Sequence, residues 1–182
     1  MSERNTVVLV NEQDQPLGTE EKLLAHQKGL LHRAFSVMLY RYMDNKLQFL
    51  LQKRSKNKYH CPGLWTNTCC SHPAIEEDVV TSALKRLEEE LVDIDTSFIN
   101  LQNIGNFIYR AEFDNGLVEH EYDYVLLGLY NNSNFAINIA EVQDYKWTAF
   151  SVLQLELEVK PWLYTPWLLP ALNILRQHMD LI

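Results

Sequence analysis

One segment, residues 76–93 (EEDVVTSALKRLEEELVD), constrains the fold more than any other. Its apolar residues Val80, Ala83, Leu84, Leu87 and Leu91 recur at three- and four-residue spacing. That spacing aligns them as one stripe along a helix, and the stripe must be buried against something. The remaining chain supplies mostly short β-like runs: TVVLV (6–10), AFSVMLYRY (34–42), LQFLLQKR (47–54), FINLQNIGNFIYRAEF (98–113), LVEHEYDYVLLGLY (117–130) and VQDYKWTAF (142–150). MDNK joins the second run to the third, and DNG (114–116) joins the fourth to the fifth; both are hairpin signals. NEQDQPLG reads as a turn, and 55–74 as a loop rich in Pro, Ser, Asn and Cys. Three further segments read as helical. TEEKLLAH (19–26) has Thr19 as N-cap and acids in its first turn; SVLQLELE (151–158) and TPWLLPALNILRQHM (165–179) follow later. Pro166 suits a helix start, whereas Pro170 is awkward deep inside one. Strands and helices mixed in this way predict an α/β (α+β) chain, a mixed β-sheet core flanked by helices.

The 182 residues predict a single domain, with no repeats or low-complexity tracts. At 47% hydrophobic and 22% charged, the composition suits a globular chain that buries its own core. The apolar runs are too short to span a bilayer, and MSERNTVVLV does not read as a signal peptide, so a cytoplasmic location is expected. A net charge of −8 speaks against nucleic acid or an acidic membrane surface as partner.

All three cysteines, Cys61, Cys69 and Cys70, fall within ten residues. An odd count in a cytoplasmic chain disfavours a disulfide framework. That leaves a metal site or a reactive thiol. The second concentration of chemistry is EHEYD (119–123). On a strand, Glu119, Glu121 and Asp123 share a face and His120 points the other way. The apolar flanks imply partial burial, and buried carboxylates need a partner such as a metal. His26, His32 and His72 are candidate co-ligands. With two carboxylates they would form an N3O2 set suited to Mn²⁺, Mg²⁺ or Zn²⁺. KRSKNK (53–58) reads either as a solvated loop or as a small anion-binding patch.

The 76–93 helix resembles the Nudix box, G-x5-E-x7-R-E-U-x-E-E-x-G-U. With the second Glu of its pair on Glu90, Glu77, Leu87 and Glu89 match. Ser71, Lys85, Arg86, Val92 and Asp93 depart from it, Arg86 at an acid that hydrolysis requires. The frame resembles a Nudix fold put to another use. GLLHRAFSVMLY, LLQKRSKNKYHCPGLWTNTCCSHP, IYRAEFDNGLVEHEYDYVLLG and TPW occur in an order and spacing similar to the type I isopentenyl-diphosphate isomerases. The likeness runs from Val7 to Pro170.

That resemblance implies a Nudix-like domain over 1–182. Residues 1–30 would be an N-terminal extension that helps complete the metal site, and 165–182 a C-terminal helical segment. It implies conversion of isopentenyl diphosphate to dimethylallyl diphosphate; the alternative is a Nudix-type diphosphate hydrolase. By matching position, Cys70 and Glu121 would be the acid/base groups, with Tyr109 beside Glu121 and Trp167 facing the reacting carbons. His26, His32, His72, Glu119 and Glu121 would hold one divalent ion. Glu90 and the Cys70 backbone would meet a Mg²⁺ arriving with the diphosphate, and Lys22, Arg54 and Lys58 would bind the diphosphate. Cys61 and Cys69 read as buried bystanders. The partner would be a small isoprenoid diphosphate.

Overall fold

A computed structural model describes residues 5–132 and 134–179. The first four and last three residues of the expected terminal segments therefore lie outside it. Strand β3 (His32–Met43) organises the molecule. Along one edge it pairs in parallel with β9 (Val118–Leu129), from His32 opposite Glu121 to Tyr40 opposite Leu129. Its other edge meets, in succession, β1 (Thr6–Val10) at His32, β6 (Cys69–Ser71) at Phe35–Val37 and β4 (Lys46–Arg54) at Tyr40–Met43, all antiparallel. β2 (Pro16–Glu21) extends the sheet beyond β1, β5 (Trp65–Thr66) and β11 (Val142–Ala149) pair with β4, and β8 (Gln102–Glu112) pairs with β9. Leu91–Val92 (β7) and Ala136–Ile137 (β10) form a separate small ribbon.

Helices cover both faces of this mixed sheet. Phe35, Val37 and Leu39 of β3, with Leu126 of β9, pack beneath α2 (Val79–Glu90) through Ala83 and Leu87. Met38 of β3 and Val125 and Leu127 of β9 face the other way, onto α3 (Phe150–Val159) and α4 (Leu168–His178). Alternate residues of each strand thus serve opposite cores, as the two-residue period of a strand demands. The apolar stripe forms as its spacing predicts, except that its last member, Leu91, is already in β7, where it is fully buried.

Several local expectations need correction. Thr19 is not a helix N-cap: it lies in β2 opposite Val8, where pairing with β1 outweighs local helix propensity. The helix α1 (Lys22–Lys28) starts later. Glu21 caps it, accepting from the amides of Leu23 and Leu24, and no acid lies in its first turn. The 55–74 segment is not all loop, because β5 and β6 add to the sheet. Pro170 is the third residue of α4, within the first turn, where amides have no intrahelical partner and a missing N–H costs little. In the hairpin between β3 and β4, Asp44 and Asn45 take φ of 51° and 59°, the left-handed pair a two-residue turn needs.

Leu87 is fully buried between α2 and the sheet. Leu87→Ala is expected to lower stability by about 2–5 kcal/mol. In urea titration the midpoint should fall with unchanged slope; an unchanged midpoint would contradict this packing.

Candidate active site

Strand parity places the carboxylates. Glu119, Glu121 and Asp123 occupy the same face of β9 as the core residues Val125 and Leu127, and all three are buried. His120 and Tyr122, on the other face, are half-buried. The parallel register sets His32 beside Glu121. His26 comes from α1, and His72 immediately follows β6. One donor atom from each of His26, His32, His72, Glu119 and Glu121 falls within a 4.8 Å cluster. Nε2 of His26 is 3.1 Å from Glu119 Oε2, and Nε2 of His72 is 3.0 Å from Glu121 Oε1.

The backbone orients two of the rings. His26 Nδ1 lies 2.5 Å from the Lys22 carbonyl, and His32 Nδ1 lies 2.8 Å from the Leu30 carbonyl. A carbonyl can only accept, so each Nδ1 carries a proton and each Nε2 points into the cluster. His32 Nε2 and His72 Nε2 lie 3.1 Å apart. Two facing lone pairs repel unless a cation or proton lies between them. Burial and the nearby Lys22 push His72 down to about 3, keeping it neutral. Burial alone would raise Glu119, but His26 and His60 carry it well below the usual carboxylate range. Burial and the charge of Glu119 also oppose ionisation of Glu121, yet its contacts with His32 and His72 leave it lowered. Burial opposes the charged form of His26, but Glu119 favours it and raises its pKa, so a divalent ion binding there would displace a proton. A neutral His72, ionised carboxylates and anchored rings suit a divalent-metal ligand set.

His72, Glu119 and Glu121 of the cluster line a cavity of about 320 Å³, together with Lys22, Arg54, Lys58, Cys70, Tyr109 and Trp167. Parity also separates the adjacent cysteines. Cys69 pairs with Val37 and is fully buried in the α2-side core; Cys70 pairs with Ser36 and faces the cavity. Arg54 Nη1 is 3.7 Å from Cys70 Sγ. Burial pushes the Cys70 thiol up to about 12, although Arg54 opposes the shift, so it is protonated at neutral pH. Tyr109 donates to Glu121 Oε2 at 2.6 Å, and burial and Glu121 hold it as a phenol. Trp167 is 2% exposed. Its indole N–H is fixed by Thr66 Oγ1 at 3.0 Å and Asn67 Oδ1 at 3.1 Å.

Three expected site residues do not line the cavity: His26 and His32, fully buried behind its wall, and Glu90. Glu90 is buried, receives Gln52 Nε2 at 2.9 Å and is paired with Arg86 Nη2 at 2.6 Å. Cys61 is buried, as expected. Sequence reasoning missed His60, which pairs with Glu119 through Nε2, and Arg86 and Glu141, which line the cavity. His60 stands in a loop with no strand register to place it. Arg86 enters the sequence pattern only as a departure from the box.

A match to the NUDIX domain family spans residues 30–168. Isopentenyl-diphosphate Delta-isomerase of Aliivibrio fischeri is 47% identical over 161 residues, 88% of this chain and 89% of that one. The Photobacterium profundum protein of the same name is 47% identical over 163 residues, 88% of each chain. Among solved structures, DR0079 from Deinococcus radiodurans shares the fold with a TM-score of 0.70 at 14% identity, covering 94% of this chain and 98% of that one. The NUDIX domain of Shewanella oneidensis NrtR, complexed with ADP ribose, has a TM-score of 0.60 at 19% identity, covering 82% of this chain and 87% of that one.

Two outcomes are expected. Mn²⁺ or Zn²⁺ at a hundred times its dissociation constant should stabilise the chain by about 2.7 kcal/mol in thermal melts, and His72→Ala should remove most of the shift. An equal shift in His72→Ala would exclude the cluster as the ligand set. Alkylation of Cys70, followed by mass spectrometry, should rise about tenfold per pH unit from pH 7 to 9.5. A plateau near the ordinary thiol value of about 8.5 would contradict the elevated pKa.

Proposed function

The chain belongs to the isopentenyl-diphosphate Delta-isomerase family and carries its NUDIX domain, and we propose that it converts isopentenyl diphosphate to dimethylallyl diphosphate by a 1,3 proton shift. The observation that carries this reading is the make-up of one cavity: a protonated thiol, a carboxylate–tyrosine pair, an indole and several cations all line it. The reaction adds a proton to the terminal alkene carbon, giving a tertiary carbocation, and removes a proton from the carbon two positions away. The double bond moves and nothing else is gained or lost.

Each residue has a role matched to that balance. Cys70 and Glu121 exchange the two protons; they stand on the strands that flank β3 on opposite edges. Tyr109 hydrogen-bonds Glu121 and fixes the carboxylate's orientation. Trp167 presents an aromatic face to the cation, a contact of about 2 kcal/mol or more when desolvated. Its indole contacts with Thr66 and Asn67 hold that face in place. Burial of these groups excludes water, which would trap the carbocation as an alcohol. Lys22, Arg54 and Lys58 hold the diphosphate, using binding energy remote from the reacting carbons for orientation. His26, His32, His72, Glu119 and Glu121 would hold one divalent ion, and their mix of imidazole and carboxylate suits Mn²⁺, Mg²⁺ or Zn²⁺. When bound, that ion neutralises the paired carboxylates and lowers the basicity of Glu121. Glu90 and the Cys70 backbone are assigned to a Mg²⁺ that enters with the diphosphate. For Glu90 this requires the Arg86 and Gln52 contacts to open. Residues 1–30 contribute Lys22 and His26 to this single domain, which supports counting them as part of the enzyme rather than as an appendage.

The hydrolase reading is the weaker one. Arg86 stands where the box needs an acid, and its guanidinium is committed to carboxylates.

Cys70→Ala and Glu121→Gln are each expected to lower isomerisation by at least about 10²–10⁴-fold, the span of a lost acid/base group. Cys69→Ala should retain most activity. Full activity in Cys70→Ala, or release of inorganic phosphate by the unaltered chain, would overturn the assignment.

A further inference from the structure

The diphosphate end of the cavity already contains an anion. Glu141 lines it, and its carboxylate pairs with both Lys58 and Arg86, the latter at 2.6 Å. The two cations come from separate parts of the chain, the loop after β4 and the middle of α2. Glu141 comes from a third, the turn before β11. That turn is built to hold it there. Asn138 N–H donates to the Glu90 carbonyl at 2.9 Å, and its side-chain amide donates to the Glu89 carbonyl at 3.0 Å, fastening the turn to the end of α2. The Glu141 amide closes the turn onto the Asn138 carbonyl at 2.9 Å. Its own carbonyl accepts from Ser55 N–H at 3.0 Å, tying down the base of the loop that carries Lys58.

We propose that Glu141 is a resident stand-in for substrate phosphate: its carboxylate occupies Lys58 and Arg86 until a diphosphate displaces it, and so sets how strongly charged an anion must be to enter. The proposal rests on Lys58 serving the diphosphate, as in the function assigned above. The physics follows from the geometry. Burial opposes the charge of Glu141, but Lys58 and Arg86 keep it ionised at neutral pH. A carboxylate carries one negative charge, whereas a diphosphate carries more and can engage both cations at once. A weak or singly charged anion gains too little to break two existing pairs. A diphosphate, with further contacts to Lys22 and Arg54 in the same cavity, gains enough. When the ligand leaves, the carboxylate closes back onto the cations, so neither is left unpaired. Arg86 also pairs with Glu89, so displacement of Glu141 does not strand it.

The test is calorimetric titration of inorganic pyrophosphate and of orthophosphate into the full chain and into Glu141→Gln, at one fixed Mg²⁺ concentration. The substitution removes the charge and keeps the shape. Pyrophosphate is expected to bind Glu141→Gln about two- to fivefold more tightly, the equivalent of losing one partly exposed ion-pair competitor. Orthophosphate should bind the variant measurably and the unaltered chain much less. Unchanged affinity for both anions would overturn the proposal. Weaker binding would overturn it too, because Glu141 would then order Lys58 rather than compete for it. Glu141→Ser supplies the same readout if the amide disturbs the turn. Because no turnover is measured, failure here is distinct from failure of the isomerase reading, which a wild-type chain without isomerase activity would reveal.

Discussion

Two carboxylates buried side by side on β9 are the constraint on which the rest of the site depends. Glu119 is 2% exposed and Glu121 is 8% exposed. Removing such charges from water costs several kcal/mol each unless partners compensate. The compensation comes from rings brought in by separate elements: His26 from α1, His32 from the start of β3, His60 and His72 from the segment between β4 and α2. The N-terminal hairpin and α1 are held in place partly because they supply this partner. The same burial that makes the carboxylates costly makes the cluster suited to a divalent ion, since anchored neutral imidazoles and ionised carboxylates are what such an ion binds.

The second organising element is the register around β3. A one-residue slip of β9 would move Glu119 and Glu121 to the opposite face and bring His120 and Tyr122 inward. A slip of β6 would exchange Cys69 and Cys70, burying Cys70 beneath α2 and turning Cys69 toward the cavity. The placement of these side chains is therefore tied to pairing positions at His32 and Ser36, each of which has partners on both edges. The two apolar cores, which fix those registers, are what make the cavity reproducible.

Much of this is legible in the sequence, for identifiable reasons. The face shared by Glu119, Glu121 and Asp123 follows from a strand's two-residue period, and the α2 stripe from a helix's spacing. The choice of Cys70 over Cys69 comes from resemblance, and strand parity gives it a structural basis. Boundaries are less legible: Thr19 has helix-cap chemistry but lies in a strand, because β1 offers it a partner that sequence spacing does not reveal. His60 and Glu141 escape sequence reasoning because both stand in loops or turns, where no periodicity predicts direction. Glu90 is expected at the cavity and instead, at the end of α2, pairs with Arg86 and with Gln52 of β4, a packing detail that helix spacing does not reveal. Asp123 is fully part of the acidic face, and burial with the nearby charge of Glu121 raises its pKa well above the ordinary carboxylate value. Its hydrogen bond from Ser36 accounts for one oxygen only.

The central claim is a reversible proton exchange between the chain and carbon atoms of an isoprenoid diphosphate. Incubation with isopentenyl diphosphate and divalent metal in D₂O, followed by NMR of the substrate and product carbons, reads that exchange directly. Deuterium entering the methyl group formed from the terminal alkene carbon and, through the reverse reaction, the carbon two positions away from it, with the diphosphate intact, is the predicted result. Dimethylallyl diphosphate free of solvent deuterium, or cleavage of the diphosphate without deuterium in any carbon position, would contradict it.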